Sequence, residues 1–271
     1  MIPLNRKIPK IFAIQGCSCS GKSTFASFLE RSLCKYLKVI KISTDNFNDT
    51  TSLINSEEKL IDFDNPARIN WEKLKDVLMA YYRGEEFINS SEYNFITQRR
   101  KDIEIKNIYP DVIIVEGIYA FNLFNKKVFD CEKLDPFLKP DEHKMDDDFY
   151  YKENTFKIKA DVFKIEFRLK KEKMREIRLK RDSLSRANKE YLKDLSERLD
   201  QMVLPAAKKW IYTKYNEPDV ITKGGTFNEK ECLILGEKIV KDLTGISFRN
   251  KQILCENPIN ISDVDLSSKG D

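Results

Sequence analysis

The chain has 271 residues, 41% hydrophobic and 34% charged, with a formal net charge of +4. That length gives a sizeable core to one large α/β domain, or at most to two small ones, while the weak charge gives no bulk argument for nucleic acid, no apolar run approaches the ~18 residues of a membrane span, and no signal peptide is read. The six cysteines form no CxxC pair and default to free thiols in a reducing cytosol, and the one histidine, His143 in a charged stretch, nearly excludes a mechanism built on a histidine base.

Residues 1–9 read as a loose lead-in. Ile11, Phe12, Ala13 and Ile14 then predict a buried strand running into Gly16, followed after four intervening residues by Gly21-Lys22-Ser23. Phe25, Phe28, Leu29, Leu33, Tyr36 and Leu37 recur at helical spacing directly afterwards. A strand before and a helix after are the context that makes this spacing a phosphate loop. Gly16, Cys17, Ser18, Cys19, Ser20, Gly21, Lys22, Ser23 and Thr24 are therefore expected to cradle a nucleoside triphosphate, ATP in the kinase reading below. Glycines let backbone N–H groups curl round phosphate oxygens, and the helix N-terminus adds its positive end. Lys22 reaches the β- and γ-phosphates and the Ser23 hydroxyl is placed to ligate Mg²⁺. Cys17 and Cys19 read either as packing residues or as oxidation-sensitive thiols.

Lys38 to Ser43 predicts a second buried strand, ending at Thr44-Asp45-Asn46. Asp45 thus stands at the carboxyl edge of a sheet, where parallel α/β proteins bind ligands. Pro66 stops any regular element, Asn70 caps a helix carrying Trp71, Leu74, Val77, Leu78 and Tyr81, and Gly84 closes it. Tyr93 to Thr97 and Ile103 to Ile108 alternate around a basic turn and predict a hairpin. Asp111 to Glu116 is a continuous apolar run, as a fully buried parallel strand should be. It ends in Glu116-Gly117, a Walker-B-like acid fit to hold Mg²⁺ directly or through water.

Residues 125–160 are charged and weakly periodic and read as an insertion or flap. Val162 to Leu169 predicts a fourth strand, and Lys170 to Arg181 a basic helix containing Arg175, Arg178 and Arg181. A longer helix with Leu195, Leu199, Met202 and Val203 is expected to break or kink at Pro205. Asp219 to Thr222 makes a fifth strand before Gly224-Gly225, and Cys232, Leu235, Ile239, Val240 and Leu243 mark a last amphipathic helix. Residues 247–271 form a polar tail. Strands alternating with helices imply an α/β fold with a parallel sheet covered on both faces, and residues 1–271 are taken as one domain.

Two absences narrow a bare phosphate loop. No NKxD guanine-reading segment follows, and the strand-end acid is a lone Glu116 rather than the Asp-Glu pair of many motors. A second carboxylate, Asp45, is present instead. It suits the proton of an acceptor hydroxyl and the shell of a Mg²⁺ ion, or else it caps a turn. Tyr93 and Phe95 read on alternation alone as hairpin core. The basic run 168–181 reads as a solvated helix face or as a lid.

STDNF (43–47), FDNP (63–66), YNF with QRRK (93–101), IVEGIYAF (114–121) and VLPA with EPDVIT (203–222) fall in one order. In these the chain resembles the uridine–cytidine kinases, P-loop kinases close to phosphoribulokinase, over roughly residues 9–245 apart from the insertion. The resemblance implies a P-loop three-layer sandwich of five parallel strands, with a small β-hairpin for substrate and a helical lid. It implies Asp45, Lys22 and Arg181 as catalytic residues, and Ser23, Glu116 and Asp45 around Mg²⁺. It puts Asp64 on the ribose hydroxyls, with Tyr93, Phe95, Gln98, Arg100 and Arg178 completing the acceptor site. Arg178, Arg181 and Arg186 match lid arginines, the latter two on ATP. Gln98 stands where the family usually has histidine, Asn94 where it has aspartate, and Arg186-Ala187-Asn188 where it has Arg-Gly-Arg; Arg198 falls near a base-contacting glutamine.

The function implied is ATP- and Mg²⁺-dependent phosphorylation of the 5′-hydroxyl of uridine or cytidine, in cytoplasmic pyrimidine salvage. The partner is then a small nucleoside, not nucleic acid or membrane, and relatives of this fold commonly form homo-oligomers. Gln98 and the altered lid keep open a kinase of another ribosyl or alcohol acceptor. The lid and the insertion also keep open a non-catalytic nucleotide-binding regulator.

Overall fold

The computed structural model describes residues 8–49, 64–95, 97, 99–124, 162–185, 195–211, 218–225 and 229–245. The expected 125–160 insertion and the 247–271 tail lie outside them.

Five strands form one parallel sheet: β1 (Lys10–Gly16), β2 (Val39–Ser43), β5 (Val112–Gly117), β6 (Val162–Arg168) and β7 (Val220–Lys223), in the order β2-β5-β1-β6-β7. β1 is central, with Gln15 beside Gly117 of β5 on one side and beside Glu166 of β6 on the other. Successive residues of β1 face opposite layers, as the pleat requires. Phe12 and Ile14 pack with Phe25, Leu29 and Leu33 of α1 (Lys22–Leu33). Leu235, Ile239 and Val240 join them from the C-terminal helix, α4 (Glu229–Thr244). Ile11 and Ala13 instead meet Trp71, Leu74 and Leu78 of α2 (Trp71–Arg83), together with Leu199, Val203 and Ile211. The fold is thus the expected α/β sandwich with helices on both faces. Among the described residues, no helix is long and apolar enough to cross a membrane.

The capping expectations hold. The Asn70 side chain accepts the Lys73 N–H at 2.9 Å, and Gly84 ends α2 with its N–H on the carbonyls of Ala80 and Tyr81. Two expectations need correction. The hairpin pairs β3 (Phe87–Asn94) with β4 (Arg99–Lys106), so Tyr93 lies opposite Arg100 and Ile103 opposite Ser90. The basic stretch is strand rather than turn: Arg99, Arg100 and Lys101 stand on a largely exposed edge, where charged side chains are tolerated and guard against further pairing. Of the break or kink expected at Pro205, the break does not occur. The backbone from 195 to 211 stays helical, with Pro205 in a single α turn (Leu204–Ala206) between π turns at Leu199–Val203 and Ala207–Ile211. π turns route hydrogen bonds past their usual acceptors, which accommodates a residue with no N–H to give.

Candidate active site

The residues expected to carry the chemistry stand at or just beyond the carboxyl ends of β1, β5 and β2. β1 delivers the loop from Gly16 to Gly21 into α1, whose N-cap is Gly21 and therefore supplies no side-chain acceptor to the first N–H groups. Those donors are left for an anion. A methyl group on Gly16 would sit 2.6 Å from the Phe167 carbonyl and 2.6 Å from Ser20 Oγ, so only glycine allows the loop to start this close to β6. Lys22 is buried against this loop and the Ser23 hydroxyl donates to Glu116 Oε2 at 2.9 Å. Cys17 is buried, which favours its reading as a packing residue.

Glu116 in turn lies beside Ser43, the last residue of β2. Asp45 therefore follows only two residues beyond Glu116's neighbour, in the 3₁₀ turn Thr44–Phe47. That turn is pinned on three sides. Asn46 Oδ1 accepts the Tyr93 N–H at 3.4 Å, the Phe47 carbonyl accepts the Asn70 N–H at 2.8 Å, and Asn48 bridges to Ile69. The Asp45 turn, the hairpin and the start of α2 are thus one assembly.

Asp64 opens the turn that leads into α2. The Tyr119 hydroxyl donates to its carbonyl, and its carboxylate lies 3.3 Å from Arg178 Nη1 on α3 (Lys171–Ser185). Arg178 Nε is 3.4 Å from Asp182 Oδ2, and Asp182 Oδ1 accepts Arg181 Nε at 2.7 Å. Arg181 Nη1 reaches Ser18 Oγ of the phosphate loop at 3.5 Å. Tyr93 and Phe95 stack edge-to-face with centroids 5.1 Å apart, Tyr93 buried and Phe95 46% exposed at the hairpin tip. An exposed aromatic there suits a flat ligand better than a core.

Of the residues expected in the site, the structure brings together Ser23 with Glu116, Arg181 with Ser18, Arg178 with Asp64, and Tyr93 with Phe95. Arg100 Nε lies 3.9 Å from Asp102 Oδ1 on its own strand. Gln98 and Arg186 lie outside the described residues. Sequence reading overlooked Asp182, Asn46 and Tyr119. The signal for Asp182 was its place four residues after Arg178 within a basic helix, which sets the two side chains on one face.

Residues 11–143 match the sequence model of the phosphoribulokinase / uridine kinase family. That stretch, just under half of the chain, is similar to the family. It is similar to the uridine kinase of Ureaplasma parvum serovar 3, 33% identical over 118 residues that cover 43% of this chain and 56% of that protein. Similarity to the uridine kinase of Mycoplasma genitalium is 34% over 133 residues, 47% of this chain and 59% of the relative. The chain spans just over half the length of these curated relatives. A solved structure from Silicibacter sp. TM1040, provisionally described as a fructose transport system kinase, superposes with a TM-score of 0.50 at 16% identity. It covers 76% of this chain and 86% of its own, and speaks for the fold alone. The family region contains the phosphate loop, Asp45, Asp64, the hairpin and Glu116, while α3 with its arginines lies beyond it.

Proposed function

We propose that the chain is a kinase that moves the γ-phosphoryl group of ATP to the 5′-hydroxyl of a pyrimidine ribonucleoside, giving UMP or CMP and ADP. The observation that carries this reading is the Ser23–Glu116 contact at 2.9 Å, beside the strand end from which Asp45 projects its turn. Hydroxyl and carboxylate are hard oxygen donors, and Mg²⁺ is commonly held by one or two of these with phosphate oxygens and water filling the rest. Ser23 and Glu116 would hold Mg²⁺, which when bound neutralises charge on the β- and γ-phosphates.

The work of the chain's own groups follows. The loop amides and Lys22 orient the triphosphate. Asp45 takes the proton of the acceptor hydroxyl as its oxygen bonds to Pγ and the bond from Pγ to the bridging oxygen breaks, leaving ADP. Arg181 neutralises charge on the transferring group. Asp64 holds the ribose, and Tyr93 and Phe95 flank the base. The reading takes residues 1–271 as one kinase domain acting in cytoplasmic pyrimidine salvage.

The test is release of ADP by the full chain with ATP and Mg²⁺, offered uridine, cytidine and a panel of other ribosyl and alcohol acceptors. Turnover on uridine or cytidine is expected, with the product identified as the 5′-monophosphate by phosphorus NMR. Asp45→Asn is expected to lower kcat by roughly 10²–10⁴-fold while an ATP analogue still binds. Turnover restricted to another acceptor would move the substrate assignment; ATP binding without transfer to any acceptor would replace the kinase with a nucleotide-binding regulator.

A further inference from the structure

Asp182 is fully buried at 0% exposure and stands between two arginines that face different halves of the site. One carboxylate oxygen lies 3.4 Å from Arg178 Nε, and Arg178 is itself 7% exposed and reaches Asp64 at 3.3 Å. The other oxygen takes Arg181 Nε at 2.7 Å, and Arg181 reaches Ser18 of the phosphate loop. Two guanidinium and two carboxylate groups form an alternating row from Asp64 to Arg181, formally neutral overall. A buried carboxylate in such a row is costly to hold in place alone, and removing one member leaves charges uncompensated. Arginine side chains also lose considerable rotamer freedom when fixed. A fixed anion between the two therefore sets where both cations point.

We propose that Asp182 is a positioning residue that holds Arg178 and Arg181 as one unit, so that the Asp64 side of the site and the phosphate loop share a binding free energy. The inference rests on the kinase reading above for the identity of the two ligands. Coupling between two sites is reciprocal: whatever factor one ligand gives the other, it receives in return. Arg178 anchored on Asp64 holds Asp182, and Asp182 holds Arg181 at the loop that takes the triphosphate. An acceptor that engages Asp64 thereby changes the restraint on Arg181 without touching ATP.

The experiment measures affinity of the full chain for a non-hydrolysable ATP analogue with Mg²⁺, by calorimetry, with and without saturating uridine. The wild type is expected to bind the analogue at least about five-fold more tightly with uridine present. Asp182→Asn keeps the side-chain shape and removes the charge; it is expected to weaken analogue binding without uridine and to bring the with-and-without ratio close to one. Asp200→Asn is the control, because Asp200 ties α3 to the 195–211 helix through Arg175 without entering the row; its ratio should match the wild type. Unchanged analogue affinity and ratio in Asp182→Asn would overturn the proposal. Should that variant not fold, Asp64→Asn reads the same row from its far end: it never meets ATP, so an unaltered analogue affinity refutes the coupling. Should uridine fail to bind the wild type, the acceptor assignment falls, and the effect of Asp182→Asn on analogue binding alone still decides the positioning role.

Discussion

Ser23 and Glu116 are joined by a 2.9 Å hydrogen bond across 93 residues of sequence, one side chain from the first turn of α1 and the other from the end of β5. The contact exists because β1 and β5 are paired neighbours with Ile14 beside Glu116, which leaves the loop leaving β1 to fold back over the end of β5. Glu116→Gln keeps the hydrogen-bonding shape and removes the charge. It should raise the Mg²⁺ concentration needed for half-maximal activity by about 10–100-fold, with little change in thermal stability. A Mg²⁺ titration of initial rates checks this, and an unchanged half-maximal concentration would remove Glu116 from the metal site.

Phe95 is exposed at the hairpin tip while its edge-to-face partner Tyr93 is buried. Phe95→Ala costs the fold less than a core truncation, because nearly half of the residue is exposed. It is expected to raise KM for the nucleoside by about 2–10-fold, the worth of one aromatic stacking contact, and to leave KM for ATP alone. Parallel changes in both constants would mean that the ring supports the fold rather than the base.

The phosphate loop and the sheet were legible because both write themselves in local sequence. Gly16, Gly21, Lys22 and Ser23 keep fixed spacing between an apolar strand and an amphipathic helix, and the buried parallel strands are continuous apolar runs such as Val112 to Val115. The hairpin register was not, because β3 buries the polar Ser90 and Ser91, one on each face, which breaks the apolar alternation that marks a strand. The break expected at Pro205 fails for a different reason: the rule that proline ends a helix assumes α geometry, and here π turns flank it. The row from Asp64 to Arg181 is a tertiary fact, since Arg178 and Asp64 are 114 residues apart and nothing local to Asp182 says which charges will surround it.

Cys34 offers a check that is independent of ligands. Although Cys34 is exposed, partial desolvation first, and the Glu30 carboxylate second, hold its thiol above the ordinary value of 9.0, opposed by a hydrogen bond with the Val39 backbone. A raised thiol pKa means less thiolate at any given pH, and thiolate is the reactive form. Alkylation of Cys34, followed by mass spectrometry of its peptide, should therefore be slower at pH 8 than that of an unperturbed peptide thiol and should keep rising above pH 9.0. Glu30→Gln removes one of the two raising causes and should speed the reaction at pH 8. A rate that levels off below pH 9.0 contradicts the assignment.

Gly117 separates catalytic geometry from mere nucleotide binding. It closes β5 directly after Glu116, and a methyl group there would lie 1.7 Å from Thr44 Oγ1 and 2.8 Å from Thr44 Cβ. Thr44 is fully buried and begins the turn that carries Asp45, so it has no open space into which to retreat. Gly117→Ala must push the turn away from the end of β5. The overpacking should cost about 1–3 kcal/mol of stability, read as a lowered midpoint in urea. The displaced turn should also lower kcat far more than ATP-analogue affinity, because the phosphate loop itself hangs from β1. Adding Thr44→Ala removes the oxygen and methyl nearest the clash and should recover part of both losses. Full activity in Gly117→Ala would show that the Asp45 turn tolerates displacement, and with it that Asp45 does not act through a fixed position on the acceptor.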